Sequence, residues 1–279
     1  MRTLSSLYPT ALVTGASSGL GAAFAAMLLS EGVRVWGTAR AVERLSGLSG
    51  HAGFTPLPLD LGETASVERA FLAMQEGAGA APSLVINNAG AGLFGPFPER
   101  PFADWEAQVQ AGLLGTARVA HLAMQGFRAT QGGCLVNVSS VAAVYPLPFM
   151  SGYNMIKAGV SALSESLLFE TRGTGVTVLD FRPGDFRTAF NHSMQAPSSP
   201  LPPSADPRLA RAWRVLEANL AAAPAADRAA RDLRRALAAR RRGTVYSGSF
   251  FQTRLAPLFS RLAPASLRRA VAARYFGAC

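Results

Sequence analysis

Apolar residues along this chain fall into short, nearly continuous runs, separated by longer stretches in which apolar positions recur at helical spacing. Residues 10–14, 33–38, 54–59, 84–86, 134–138 and 176–181 read as strands covered on both faces, because a strand with one wet face would alternate strictly. Between them, residues 19–30, a short 42–48, 63–76, 102–128 and 153–170 read as helices. This alternation predicts an α/β fold: a doubly wound parallel sheet with helices on both faces, in a single domain spanning 1–279. After Phe181 the rhythm breaks. Residues 191–207 are rich in Pro and Ser and read as a loop, 208–242 as Ala- and Arg-rich helix, and 244–247 as a last strand. Residues 251–276 read as one or two basic, apolar helices punctuated by Pro257 and Pro264. The stretch 191–242 is therefore expected to supply substrate-binding loop and helices, and 249–279 a basic helical extension.

Composition narrows the class. The chain has 279 residues, 49% hydrophobic and 16% charged, which suits a full core and excludes a disordered, solvated chain. Its net charge of +10 is concentrated at one end: residues 1–205 hold 12 basic and 13 acidic side chains, residues 206–279 hold 15 and 4. No nucleic-acid-binding module is recognisable, so no nucleic-acid partner is expected. Lys157 is the one lysine in the sequence. Two cysteines, Cys134 in an apolar run and Cys279 at the end, predict neither a disulfide framework nor a metal site. No secretory h-region and no run of membrane-span length is visible, which leads to the expectation of a cytoplasmic protein.

The first strand runs into Thr14-Gly15-Ala16-Ser17-Ser18-Gly19-Leu20-Gly21. Gly15 permits a tight turn, Gly19 lets backbone approach a pyrophosphate, and Gly21 lets the following helix sit close to the sheet. The helix N-terminus, with its free N–H groups and partial positive charge, suits phosphate, with Ser17, Ser18 and Leu20 lining the turn. The pattern therefore reads as a Rossmann-like dinucleotide site. The second strand ends Thr38-Ala39-Arg40 with no acid to hold ribose hydroxyls. Arg40 instead offers a planar cation for a 2′-phosphate, so NADP(H) is expected over NAD.

Tyr153 and Lys157 are four residues apart on a predicted helix and share one face; Ser140 follows a strand thirteen positions before Tyr153. Together with the glycine turn, Asp60-Leu61, Asn87-Asn88-Ala89-Gly90 and Pro183-Gly184 followed by Thr188, these residues make the chain similar, over 10–190, to the short-chain dehydrogenase/reductase family. The resemblance implies an oxidoreductase that interconverts an alcohol and a ketone or aldehyde. Tyr153 would be its general acid/base, Ser140 would hold the substrate oxygen, and Lys157 would bind the nicotinamide ribose and bias the phenol. A free Tyr, with a pKa of about 10, would be drawn toward phenolate by the ammonium and a cationic nicotinamide. Asp60 would bond the adenine amino group beside the Leu61 backbone. Asn88, Ala89 and Gly90 would line the ribose, the Phe186 backbone and Thr188 would hold the carboxamide, and Pro183 and Gly184 would belong to the same cofactor site. Asn87-Asn88 reads equally well as strand-end hydrogen bonding. The family's Asn-x-x-Gly-Thr is here Gly112-Leu113-Leu114-Gly115-Thr116, which implies a weakened proton relay.

Residues 141–150 and the Leu93, Phe94, Pro96, Phe97 group carry almost no polar handle, so Leu93, Phe94, Leu147 and Phe149 are expected, with Ser140, to border an apolar alcohol or carbonyl substrate. Arg254, Arg261, Arg268, Arg269 and Arg274 among Leu, Phe and Ala read either as a peripheral membrane contact or as a helix packed over the site or a subunit interface. The resemblance also implies a homodimer or homotetramer through the long helices. The rival reading is a catalytically weak NADP-binding regulatory or scaffold protein, and Gly112 is the feature that favours it.

Overall fold

A computed structural model describes residues 3–188, 190, 194 and 206–276. Seven parallel strands form one sheet: β1 Thr10–Val13, β2 Arg34–Ala39, β3 Phe54–Pro58, β4 Leu84–Asn87, β5 Gly133–Val138, β6 Val176–Pro183 and β7 Gly243–Ser247. Their order across the sheet is β3-β2-β1-β4-β5-β6-β7, so the winding reverses between β1 and β4. A crevice opens beyond the carboxyl ends of the strands at such a reversal.

Alternate residues of each strand feed different cores. Ala11 and Val13 of β1 pack with α1 Leu4–Leu7, α2 Gly19–Ser30 and α8 Ala226–Ala238 through Leu4, Phe24, Leu28, Leu233 and Leu237. Leu12 faces the other side, where α3 Thr64–Ala78, α5 Thr116–Ala129 and α6 Ser151–Glu170 contribute Val67, Phe71, Val119, Phe127 and Leu167. A third cluster sits outside the sheet, where α7 Pro207–Ala222 packs Leu209, Leu216 and Leu220 onto Phe94 and Met150. The chain ends in α9 Ala256–Leu262 and α10 Ala265–Tyr275, after a π-helical turn over Phe251–Leu255.

The expected doubly wound sheet is present, with local departures. The long helix expected over 102–128 is divided into α4 Phe102–Val109 and α5 by a π-helical segment, Gln110–Gly115. Its start at Phe102 follows from Pro101 and Arg100, whose buried guanidinium donates to the Phe94 carbonyl at 2.8 Å. The helix carrying Tyr153 begins two residues earlier than expected, at Ser151. Gly152 explains how: a side chain there would collide with Gln108 and Trp105, so its absence lets α4 lie against the first turn of α6. The region expected as helix over 208–242 is broken at Pro224, between α7 and α8. Most of the loop expected over 191–207 lies outside the described residues.

Candidate active site

The crevice at the strand ends is a cleft of about 940 Å³. At one end stands the glycine turn. Gly15 and Gly19 have φ of +69° and +55°, a backbone shape that only glycine takes without strain. A Cβ on Gly21 would lie 2.1 Å from the Gly15 carbonyl oxygen, so α2 approaches the turn as closely as backbone allows. The Thr14 hydroxyl accepts from the backbone N–H groups of both Asn88 and Ala89 at 2.9 Å, and the Asn88 amide donates to the Thr14 carbonyl at 3.0 Å. The ends of β1 and β4 are thereby fixed to each other across the switch point.

Gly15, Ser17, Ser18, Gly19 and Leu20 line the cleft, whereas Gly21 lies beneath it as a packing residue. No side chain caps the first turn of α2 and no acid stands in it, so its N–H groups remain available. Exposed Arg40 lines the same end, with Asp60 and Leu61 opposite. An Asp60 oxygen accepts from the Gly62 N–H at 2.8 Å, which orients the carboxylate. Asn88, Ala89 and Gly90 form the middle of the floor. Asn87 is structural: buried, it donates to the Thr116 carbonyl at 2.7 Å and to Asn137 at 3.2 Å. A phosphate-bearing dinucleotide fits this cradle, since a Cβ on any of the three glycines would fill it or push its walls apart.

At the other end Ser140, Tyr153 and Lys157 meet on one wall. Ser140 is held by its own turn, its hydroxyl accepting from the Ala142 N–H at 3.0 Å, and it lies within hydrogen-bonding reach of the Tyr153 phenol. The Lys157 ammonium is 5.7 Å from the Tyr153 ring centre and donates to the Val138 carbonyl at 2.8 Å. Pro183, Gly184, Phe186 and Thr188 also line this end, and Thr188 arches over the glycine turn, 3.3 Å from where a Gly19 Cβ would stand. Gly112, on the π-helical segment, lines the cleft too; a Cβ there would press on Ile156 at 3.0 Å.

Burial of this wall acts against the sequence-based expectation. Burial pushes the Tyr153 phenol up to about 12, and the Asp185 carboxylate adds to the rise while the Ser140 hydrogen bond opposes it. Lys157 is pushed down to about 8 by burial, opposed by Asp180. The dry wall therefore favours a neutral phenol, and the pull toward phenolate falls to a cationic ring when one is bound.

Beneath the wall lies a polar cluster that sequence reasoning missed. Asp180, fully buried on β6, accepts from Ser139, from Ser161 at 2.8 Å and from the Arg182 guanidinium at 2.7 Å. Arg182 also donates to the Tyr246 hydroxyl at 3.0 Å. The Asp180 carboxylate thus joins the residue next to Ser140 to the residue one turn beyond Lys157. Several cleft residues also escaped notice, among them Arg44, Asp185 and Gln252. Arg44 follows Arg40 by four positions on a helical turn, Val42–Leu45, and that spacing was the available signal. Asp185 and Gln252 meet in the cleft, the Gln252 amide donating to the Asp185 carboxylate at 2.7 Å, and no local pattern links them.

Of the four apolar residues expected to border a substrate, Leu93 and Leu147 line the cleft, and Phe94 and Phe149 do not. Their rings pack on each other at 5.9 Å, and Phe94 also meets Trp213 at 4.9 Å, in the cluster under α7. Burying the Phe94 ring, with Phe149 partly covered beside it, stabilises the fold more than leaving both against an open cleft.

The profile of the family described as short chain dehydrogenase matches residues 9–198. The chain belongs to that family. Among its relatives in this short-chain dehydrogenase family is a serine 3-dehydrogenase of Agrobacterium fabrum, 34% identical over 65% of this chain and 73% of the relative. A probable NADP-dependent dehydrogenase of Haemophilus influenzae is 32% identical over 63% of this chain and 70% of its own. A Burkholderia phymatum short-chain dehydrogenase/reductase solved with NAD superposes with a TM-score of 0.82 over 97% of both chains; at 23% identity it speaks for the fold alone. The short-chain dehydrogenase described above is accordingly an oxidoreductase by family.

Proposed function

We propose that this short-chain dehydrogenase uses NADP(H) to interconvert an alcohol and a ketone or aldehyde on an apolar substrate, with Tyr153 as general acid/base. The observation that carries the reading is the convergence of Ser140, Tyr153 and Lys157 on one wall of a cleft whose opposite end is the glycine turn. When bound, the nicotinamide would supply or accept the hydride. The residues of the chain do the rest. Ser140 donates to the substrate oxygen and holds it beside the phenol. Tyr153, held neutral by burial, gives its proton to a carbonyl oxygen in reduction and regains it in oxidation. Lys157 orients the ribose and keeps a positive charge near the phenol below about pH 8.

Arg40 and Arg44 flank the end of β2 where an acid would favour NAD, and this pair supports the preference for a 2′-phosphate. Substituting Arg40→Asp tests it: NADPH affinity should fall and NADH affinity rise, and an unchanged ratio would overturn the assignment. Leu93, Val141, Leu147, Phe190 and Phe259 give the substrate half its apolar lining. Exposed Phe102, Leu114, Met155 and Phe169, on or between the helices α4 to α6, support assembly as a homodimer or homotetramer through those helices.

The central test is NADPH oxidation against apolar ketones and aldehydes, with short polar ones as controls. Turnover by the wild type and a drop of at least about 100-fold in Tyr153→Phe are expected. Near wild-type turnover in that variant would refute the mechanism. Cofactor binding without turnover on any carbonyl would favour a scaffold.

A further inference from the structure

We propose that the C-terminal helices α9 and α10, with the turn before them, dock on the surface of an anionic lipid bilayer and set the mouth of the cleft at the interface.

The two sides of this segment differ in what they meet. Inward, Ala256, Phe259, Ala272 and Phe276 close the substrate end of the cleft. The segment is tied there by polar contacts as well: Tyr145 donates to the Ala256 carbonyl at 2.6 Å, and Gln252 holds Asp185. Outward, Leu255, Leu258 and Leu262, spaced three and four apart on one helical face, are 48%, 57% and 75% exposed, with Phe250 beside them at 70%. A solvated helix has no use for a stripe of leucines on its wet side.

Charge selects the occupant. Asp232 is the last acidic residue in the sequence, and ten arginines follow it. Arg254 is exposed in the turn next to Leu255, and Arg269 and Arg274 are exposed on α10. An isologous contact with a second copy through this face would set arginine against arginine with no acid to pair. A nucleic-acid surface would use the arginines and leave the leucines in water. An anionic bilayer satisfies both, taking the apolar stripe into the acyl boundary and the guanidinium groups at the phosphates. Among the described residues no helix is long and apolar enough to cross a membrane, so the segment would lie in the interface.

The proposal deepens the apolar-substrate reading and rests on it for the benefit of docking, because such a substrate would pass from lipid into the cleft without crossing water. Binding itself is measured without turnover, which keeps the two readings separable. The experiment is co-sedimentation of the full chain with vesicles of phosphatidylcholine, alone or mixed with phosphatidylglycerol, at low and high salt. Binding to the mixed vesicles alone is expected, weakening at least tenfold as salt rises. Arg254→Gln with Arg269→Gln should weaken it about 25-fold, at about fivefold per arginine near the surface. Leu258→Ser with Leu262→Ser should also release the protein. Both pairs lie outside the cleft lining, so turnover of a water-soluble ketone should stay at the wild-type level and show that the variants fold. Equal binding to neutral vesicles, no binding to either, or indifference to the substitutions would overturn the proposal. So would a dimer that these substitutions dissociate, or duplex DNA bound in place of vesicles. If docking holds while no carbonyl is turned over, it is the catalytic reading that fails.

Discussion

Lys157 is a buried ammonium held against one carbonyl, and replacing it measures what the site costs the fold. In Lys157→Met the apolar stem is kept and the charge removed. Burial lowers the lysine from 10.5 to about 8. That drop of about 2.5 units corresponds to about 3 kcal/mol of stability withheld at pH 7, at about 1.4 kcal/mol per unit. The direction follows from proton counting. The unfolded lysine keeps its proton up to its ordinary value and the folded one releases it earlier. The penalty is therefore full below about pH 8 and disappears as pH rises through 10.5. Losing the bond to the Val138 carbonyl takes back about 1 kcal/mol. The methionine variant should thus be about 2 kcal/mol more stable than the wild type at pH 7, with the gap closing to within about 1 kcal/mol at pH 10. Urea unfolding of both proteins at the two pH values reads this directly, provided their m-values agree. A destabilised variant, or a gap that ignores pH, would refute the electrostatic reasoning. The same variant should have lost turnover, so stability and activity move in opposite directions at this residue.

Other expectations follow from the same geometry. Asp185→Asn removes a negative charge that helps hold the Tyr153 phenol up, so the pH–rate profile for alcohol oxidation should move to lower pH; no movement, or an upward one, would count against the charge. Gly21→Ala places a methyl 2.1 Å from the Gly15 carbonyl oxygen, and NADPH titration should show at least tenfold weaker binding, with a loss of about 2 kcal/mol or more in thermal unfolding. Gly112→Asn alone should cost about 1 kcal/mol, because its Cβ meets Ile156 at 3.0 Å. With Ile156→Val to make room, turnover should rise above the wild type; if it does not, the missing amide does not limit the reaction.

The sheet and both ends of the cleft were legible because they are written in short-range patterns. Apolar runs fixed the strands, the glycine turn follows β1 within eight residues, and Tyr153 and Lys157 share a face at one helical spacing. What escaped has no local spelling. Asp180 meets Ser139, Ser161 and Arg182, and through Arg182 reaches Tyr246, because β6 is inserted between β5 and β7. Asp185 finds Gln252 sixty-seven positions away. Apolarity alone could not separate Leu93 and Leu147, which face the cleft, from Phe94 and Phe149, which pack behind it. The rise in the Tyr153 pKa was missed for a different reason: charges can be counted in a sequence, whereas desolvation needs the walls.

The π-helical segment Gln110–Gly115 also sets how this stretch can change over time. Each residue of an α-helix turns the chain by about 100°, so one extra residue in the wide turn re-phases everything after it. That offset lets Trp105 and Gln108 meet Gly152 before the turn while Val119, Ala123 and Phe127 meet the sheet after it. Deleting a single residue here would heal the helix and rotate one half out of its packing. Mutational drift can therefore exchange side chains along this stretch far more freely than it can alter the number of them.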